Sequence, residues 1–163
     1  MTTQEPRHGA QTTRISLKRI LVPVDFSPLS KKALQYALRF AEEFDADVKL
    51  VHVVEPDVPP AFDGWMIAPP VISTNPDGAK KLKRLASSVQ TARINPVQST
   101  VRTGMPAHEI VEAAKELDVD LIIIATHGYT GWKHFAIGST AERVVRAAPC
   151  PVLVVREKEH EFV

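Results

Sequence analysis

From about residue 19 onward, short runs of apolar and β-branched residues alternate with stretches whose apolar positions recur every three to four residues. Alternation of this kind specifies strand, crossover helix, strand, and so predicts a parallel sheet flanked by helices. The first run, Ile20-Leu21-Val22-Pro23-Val24-Asp25, is apolar on both pleats, as a strand covered on both faces must be. Pro23 donates no ladder hydrogen bond, so pairing is expected to end near it. Ser27-Pro28 then reads as an N-cap followed by proline at the first helical position. Leu29, Ala33, Leu34, Ala37, Leu38, Ala41 and Phe44 continue it as one helical stripe, with Lys31, Lys32, Arg39, Glu42 and Glu43 mainly outside.

A second buried strand is expected over Val48 to Val54, interrupted by Lys49 and His52. Asn75-Pro76 opens a short helix reaching about Val89, and Val97 to Thr103 alternates as a strand. Gly104 and Pro106 introduce a third helix with Ile110, Ala113, Ala114 and Leu117 at i, i+3, i+4 and i+7. Leu121 to Ala125 is the strongest strand signal, and Ala141, Val144, Val145 and Ala148 repeat the helical spacing before Pro149. Val152 to Val155 closes the series. The expectation is α/β: an open five-stranded parallel sheet with four helices distributed over both faces.

Length and composition narrow this further. At 163 residues the chain is near one domain of about 150 residues. We read residues 1–18 as a loose tail without the apolar core of a secretory signal, 19–156 as one domain, and 157–163 as a second tail. Hydrophobic residues at 44% and charged residues at 24% indicate a soluble globular protein. Twenty basic against nineteen acidic side chains leave +1, which offers no general field for nucleic acid or an anionic membrane. One cysteine, Cys150, precludes an intrachain disulfide and a cysteine zinc cage, and suits a reducing cytoplasm. Between Pro149 and Pro151 it reads as a small core thiol. Residues 55–78 hold six of the thirteen prolines together with Phe62, Trp65 and Met66. This insertion is a lid, a partner patch, or a cover for the sheet edge.

Ligands of open parallel sheets collect beyond the carboxyl ends of the strands, where the crossovers change face. Two segments qualify: Pro23 to Ser27, and Thr126 to Thr140. The second contains Gly128, Gly131 and Gly138, three of the seven glycines, between a buried strand and a helix. Glycines allow close backbone approach and a helix start presents free N–H groups, so together they can cradle an anion. Ser139-Thr140-Ala141-Glu142 also fits a capping box, which would explain Ser139 without any ligand. Asp25, a carboxylate at the end of a buried strand, either meets a polar ligand or cation or helps cap the Ser27 helix. His127 and His134 lack the clustered carboxylates or thiols of a metal site. P-loop, dinucleotide Rossmann and G-x-S-x-G signatures are absent.

These residues resemble the universal stress protein family. Ile20 to Ser27 looks like its first strand and turn, and Leu50-Val51-His52-Val53 like its second strand. Thr126-His127-Gly128, nine residues and then Gly138-Ser139-Thr140 look like its G-2x-G-9x-G-[S/T] nucleotide signature, and Pro149 to Val155 looks like its closing strand. The first signature glycine falls at Ala125; if that position needs φ > 0, alanine costs about 1 kcal/mol. The resemblance implies an adenine nucleotide alpha hydrolase-like sheet of strand order 3-2-1-4-5. It further implies nucleotide contacts at Pro23, Val24, Asp25, Val53, Ala125, His127, Gly128, Gly138, Ser139 and Thr140. ATP, or AMP or ADP, would be the ligand, with Mg or Mn neutralising the triphosphate and Asp25 near that ion. A homodimer through Val152, Leu153, Val154 and Val155 is implied as well.

Two main readings follow: an ATP-binding stress-response module with slow hydrolysis or none, and a dimeric interaction protein of the same family that binds no nucleotide. No general base or arginine finger is apparent for attack on a γ-phosphate. A nucleotide-activating enzyme on a related fold lacks its glycine-serine loop or HIGH-type motif here.

Overall fold

In a computed structural model, which describes residues 15–56, 76–90, 95–126 and 138–157, the predicted alternation is realised element by element. The order is β1 (Arg19–Pro23), α1 (Pro28–Phe44), β2 (Asp47–Val54), α2 (Pro76–Ser88), β3 (Gln98–Thr103), α3 (Pro106–Glu116), β4 (Leu121–Ala125), α4 (Ser139–Ala147) and β5 (Val152–Val155). All neighbouring strands run parallel, in the order β3-β2-β1-β4-β5. The tails at 1–14 and 158–163 and most of the proline-rich stretch lie outside the described residues.

Alternate residues of each central strand go to opposite faces, and the helices divide accordingly. Ile20, Val22, Val24, Val48 and Leu50 pack with Ala33, Leu34, Ala37 and Ala41 of α1 and with Leu82 and Ala86 of α2. Leu21, Val51, Ile122 and Ile124 pack with Ile110, Ala113 and Ala114 of α3 and with Ala141 and Val144 of α4. The sheet is therefore sandwiched, which is why its central strands read as continuous apolar runs. Of the two polar interruptions in β2, Lys49 is buried and pairs with Asp47 at 3.4 Å.

The crossovers change face between β3 and β4, placing the topological switch between β1 and β4. β1 pairs with β2 through five partner positions, Arg19↔Asp47 to Pro23↔Val51. Its ladder with β4 has only two, Ile20↔Leu121 and Leu21↔Ile122. The two strands are thus no longer laddered toward their carboxyl ends. Pro23 has no amide hydrogen to continue the pairing, consistent with the strand ending there.

Candidate nucleotide cleft

Beyond Pro23 the chain still follows β2 for one step, because Val24 N–H donates to Val51 O at 2.8 Å. It then turns sharply, with Phe26 at φ 66°. Asp25 Oδ1 accepts from Ser27 N–H at 3.0 Å, and Ser27 Oγ accepts from Ser30 N–H at 3.1 Å. Ser30 returns its own hydroxyl to Ser27 O at 3.1 Å. The predicted N-cap is therefore present, with Pro28 following it. Of the two readings open for Asp25, its bond to Ser27 N–H shows its support of the helix start, with the carboxylate at the mouth of the sheet. Val53 lies two residues after Val51 on the neighbouring strand, half-buried against the α3 and α4 face.

Across the switch, Ala125 is the last residue of β4 and is paired with Val155. Thr126 N–H donates to Val155 O at 2.9 Å, while Thr126 O accepts from Gly138 N–H at 2.7 Å. The two ends of the glycine-rich segment are consequently pinned together at the start of α4. His127 and Gly128 lie outside the described residues. Ala125 is in extended backbone and is not among the described residues of positive φ, which are Phe26, Asp45, Asp118 and Gly104. The left-handed strain that alanine would suffer does not arise at this position.

The capping box expected at Ser139 is not formed. Gly138 is the N-cap, Ser139 is the first helical residue, and no side chain caps the helix. Glu142 instead pairs with Arg146 at 2.9 Å, its (i, i+4) neighbour. Ser139 is exposed and Thr140 half-buried on the first turn. Gly138 N–H is engaged by Thr126 O and Glu142 N–H by Gly138 O, so among the described residues the first-turn amides without an acceptor are those of Ser139, Thr140 and Ala141, the groups a helix start can offer to an anion.

Two further groups stand at this end of the sheet, to which the sequence assigns no site role. His52 Nδ1 lies 2.8 Å from Val24 O, and its ring centroid is 4.6 Å from that of Phe26. Their signals were a histidine inside an apolar strand and a bulky residue between Asp25 and Ser27. Away from the cleft, Cys150 is half-buried against the α3–α4 face rather than enclosed in the core as expected; this partial burial raises its thiol above the ordinary range, with the Asp120 charge adding to the effect. Among the described residues, no three His, Cys, Asp or Glu side chains gather to hold a metal ion. No described helix is long and apolar enough to cross a membrane.

Comparison with known proteins places this geometry in context. Universal stress protein MJ0531 of Methanocaldococcus jannaschii is 37% identical over 147 residues, covering 88% of this chain and 85% of that protein. Universal stress protein YxiE of Bacillus subtilis is 34% identical over 145 residues, covering 85% of this chain and 98% of its own. Two solved structures share the fold. One is a universal stress protein in complex with cAMP, with a TM-score of 0.64 at 19% identity, covering 86% of this chain and 98% of that one. The other is the universal stress protein from Archaeoglobus fulgidus in complex with dAMP, with a TM-score of 0.60 at 21% identity, covering 87% and 99%. The pattern described as the universal stress protein family matches residues 16–156, from just before β1 to just after β5. A doubly wound sheet opened between its first and fourth strands, together with these relatives, establishes that the chain belongs to the universal stress protein family.

Proposed function

We propose that the chain is an adenine-nucleotide-binding stress-response module, with ATP as the principal ligand and AMP or ADP as alternatives. The observation that carries this reading is the parting of β1 and β4 beyond Leu21↔Ile122. Asp25 stands on one side of that opening and the uncapped start of α4 on the other. Carboxylate and helix start have complementary tasks for a nucleotide. Asp25 receives ribose hydroxyls or approaches a phosphate-bound cation, while the amides of Ser139, Thr140 and Ala141 receive phosphate oxygens. Pro23, Val24 and the backbone of Val53 line the nucleoside end, with Ala125 and Gly138 on the phosphate side, and the resemblance of the signature segment adds His127 and Gly128 as contacts in this reading. Relatives solved with cAMP and dAMP support the same ligand class.

Mg or Mn would neutralise the triphosphate, carried by the nucleotide with Asp25 as the carboxylate nearest to it. The described cleft residues supply no evident general base, so hydrolysis is slow or absent. In this reading residues 19–156 form one domain between two tails, and the protein works in the cytoplasm as a homodimer joined through β5.

Mass analysis of nucleotide carried through purification, followed by calorimetric titration with ATP, ADP and AMP, tests the proposal. Saturable binding of an adenine nucleotide at about 1 mM or tighter is expected. Its absence would favour the interaction protein without nucleotide, for which β5 is the relevant surface.

A further inference from the structure

The turn after β1 combines a costly backbone conformation with an unusual side chain on the next strand. Phe26 adopts φ 66°, a left-handed conformation that costs a non-glycine residue about 1–2 kcal/mol. Such a residue persists where its surroundings hold it. Here the surroundings are the α1–α2 face of the core, against which Phe26 packs, and the imidazole of His52, tilted at 52° to the phenyl ring with centroids 4.6 Å apart. The same imidazole places Nδ1 2.8 Å from Val24 O. A carbonyl oxygen can only accept, so Nδ1 must be the protonated nitrogen in this contact.

Burial alone does not call for these contacts. A valine at position 52 would continue the apolar run of β2, and a glycine at position 26 would adopt φ 66° without support. Histidine and phenylalanine instead hold the residues on either side of Asp25: His52 fixes the Val24 carbonyl and braces the Phe26 ring. Asp25, between them, is then presented with Oδ1 on Ser27 N–H.

We propose that His52 and Phe26 form a latch, with His52 the positioning residue that sets the Asp25 carboxylate for nucleotide binding. This rests on the nucleotide reading above. The latch acts through Val24 and Phe26 and need not touch the ligand itself.

His52→Leu and His52→Asn test it, because the two side chains are nearly the same shape and only asparagine can donate to Val24 O. Affinity for Mg-ATP and for AMP, amide hydrogen exchange at Ser27 and Lys31, and the urea midpoint would be measured on the full chain. H52L is expected to weaken nucleotide binding about tenfold and to speed exchange at Ser27 more than at Lys31. H52N should recover most of the affinity. Equal affinity and equal Ser27 protection in H52L and the unmodified chain would overturn the latch.

Phe26→Gly separates positioning from folding. It relieves the backbone while removing the ring, so affinity should fall without a matching fall in the urea midpoint; affinity that merely follows stability argues against positioning. Nitrogen-15 NMR of the unmodified protein at about pH 8 should show His52 as the Nδ1–H tautomer, and the Nε2–H tautomer would contradict the latch even if H52L fails to fold. If the unmodified chain binds no adenine nucleotide, the functional reading falls and with it the latch's role in binding. Unchanged Ser27 exchange in H52L alongside tight binding by the unmodified chain overturns the latch alone.

Discussion

Ala125 shows how one backbone angle decides the meaning of a substitution. A signature glycine replaced by alanine implies a weakened site only if the position needs φ > 0, and Ala125 is an ordinary strand residue paired with Val155. Its methyl group packs at the edge of the α1 core. Ala125→Gly should therefore not tighten nucleotide binding by relieving strain. We expect the urea-derived stability to fall by about 0.5–1 kcal/mol, the ordinary cost of glycine in a strand, with affinity changed less than about twofold. A several-fold gain in affinity would show that the methyl group itself obstructs the ligand. Sequence could name Ala125 but not its φ, because the angle is set by pairing with β5. Phe26 and His52 were obscured for a related reason: their importance lies in a contact between neighbouring strands, which a histidine inside an apolar strand and a bulky residue before an N-cap do not by themselves specify. Pro23 and Ser27 were legible because proline and an N-cap act within their own segment.

At the scale of elements, the same distinction separates α1 from α4. Ser27-Pro28 is a local signal, and Ser27 Oγ accepts from Ser30 N–H as that signal requires. Ser27→Ala should lower stability by about 1 kcal/mol, read as a fall of a few degrees in the calorimetric midpoint; no change would mean that Asp25 and solvent suffice at the helix start. Ser139-Thr140-Ala141-Glu142 carries an equally good local signal, yet the Thr126 carbonyl draws in Gly138 N–H and moves the cap one residue earlier. A bond between residues twelve positions apart outweighs a four-residue motif.

Between β3 and α3 the tie is ionic. Arg102 lies between Glu109 at 3.6 Å and Glu116, to which it hydrogen-bonds. The hydrogen bond from Arg102, reinforced by its charge, holds the Glu116 carboxyl below its ordinary 4.5. A carboxyl lowered in the folded state adds stability above its unfolded pKa and loses that contribution as pH falls through the folded value. The stability difference between the unmodified chain and Glu116→Gln should accordingly narrow from about pH 6 to about pH 3 in urea titrations. A constant difference would show that Glu116 contributes by packing, while a difference growing toward low pH would reverse the assigned sign. Glu116 is 59% exposed, so the effect should also shrink in high salt.

The two edges of the sheet are protected differently, which bears on assembly. β3 is polar along Gln98-Ser99-Thr100 and carries Arg102, whereas β5 is Val152-Leu153-Val154-Val155. A short apolar edge strand invites pairing with another strand, and the proposed homodimer would use it in this way. The ladder shows which amides are available. Ile122 N–H donates to Pro151 O at 3.0 Å and Thr126 N–H to Val155 O at 2.9 Å, so odd-numbered residues of this segment face β4. The two-residue period of a strand then directs the N–H groups of Val152 and Val154 away from β4. Proline is tolerated where a strand's N–H faces outward and is disruptive where it faces a partner. Val154→Pro should convert a dimer to monomers in sedimentation while leaving the folded circular-dichroism spectrum in place. Leu153→Pro, which removes a donor facing β4, should cost about 1–3 kcal/mol of stability in either oligomeric state. An unmodified chain that is monomeric at about 100 µM, or a Val154→Pro variant that dimerises as before, would exclude β5 as the joining edge.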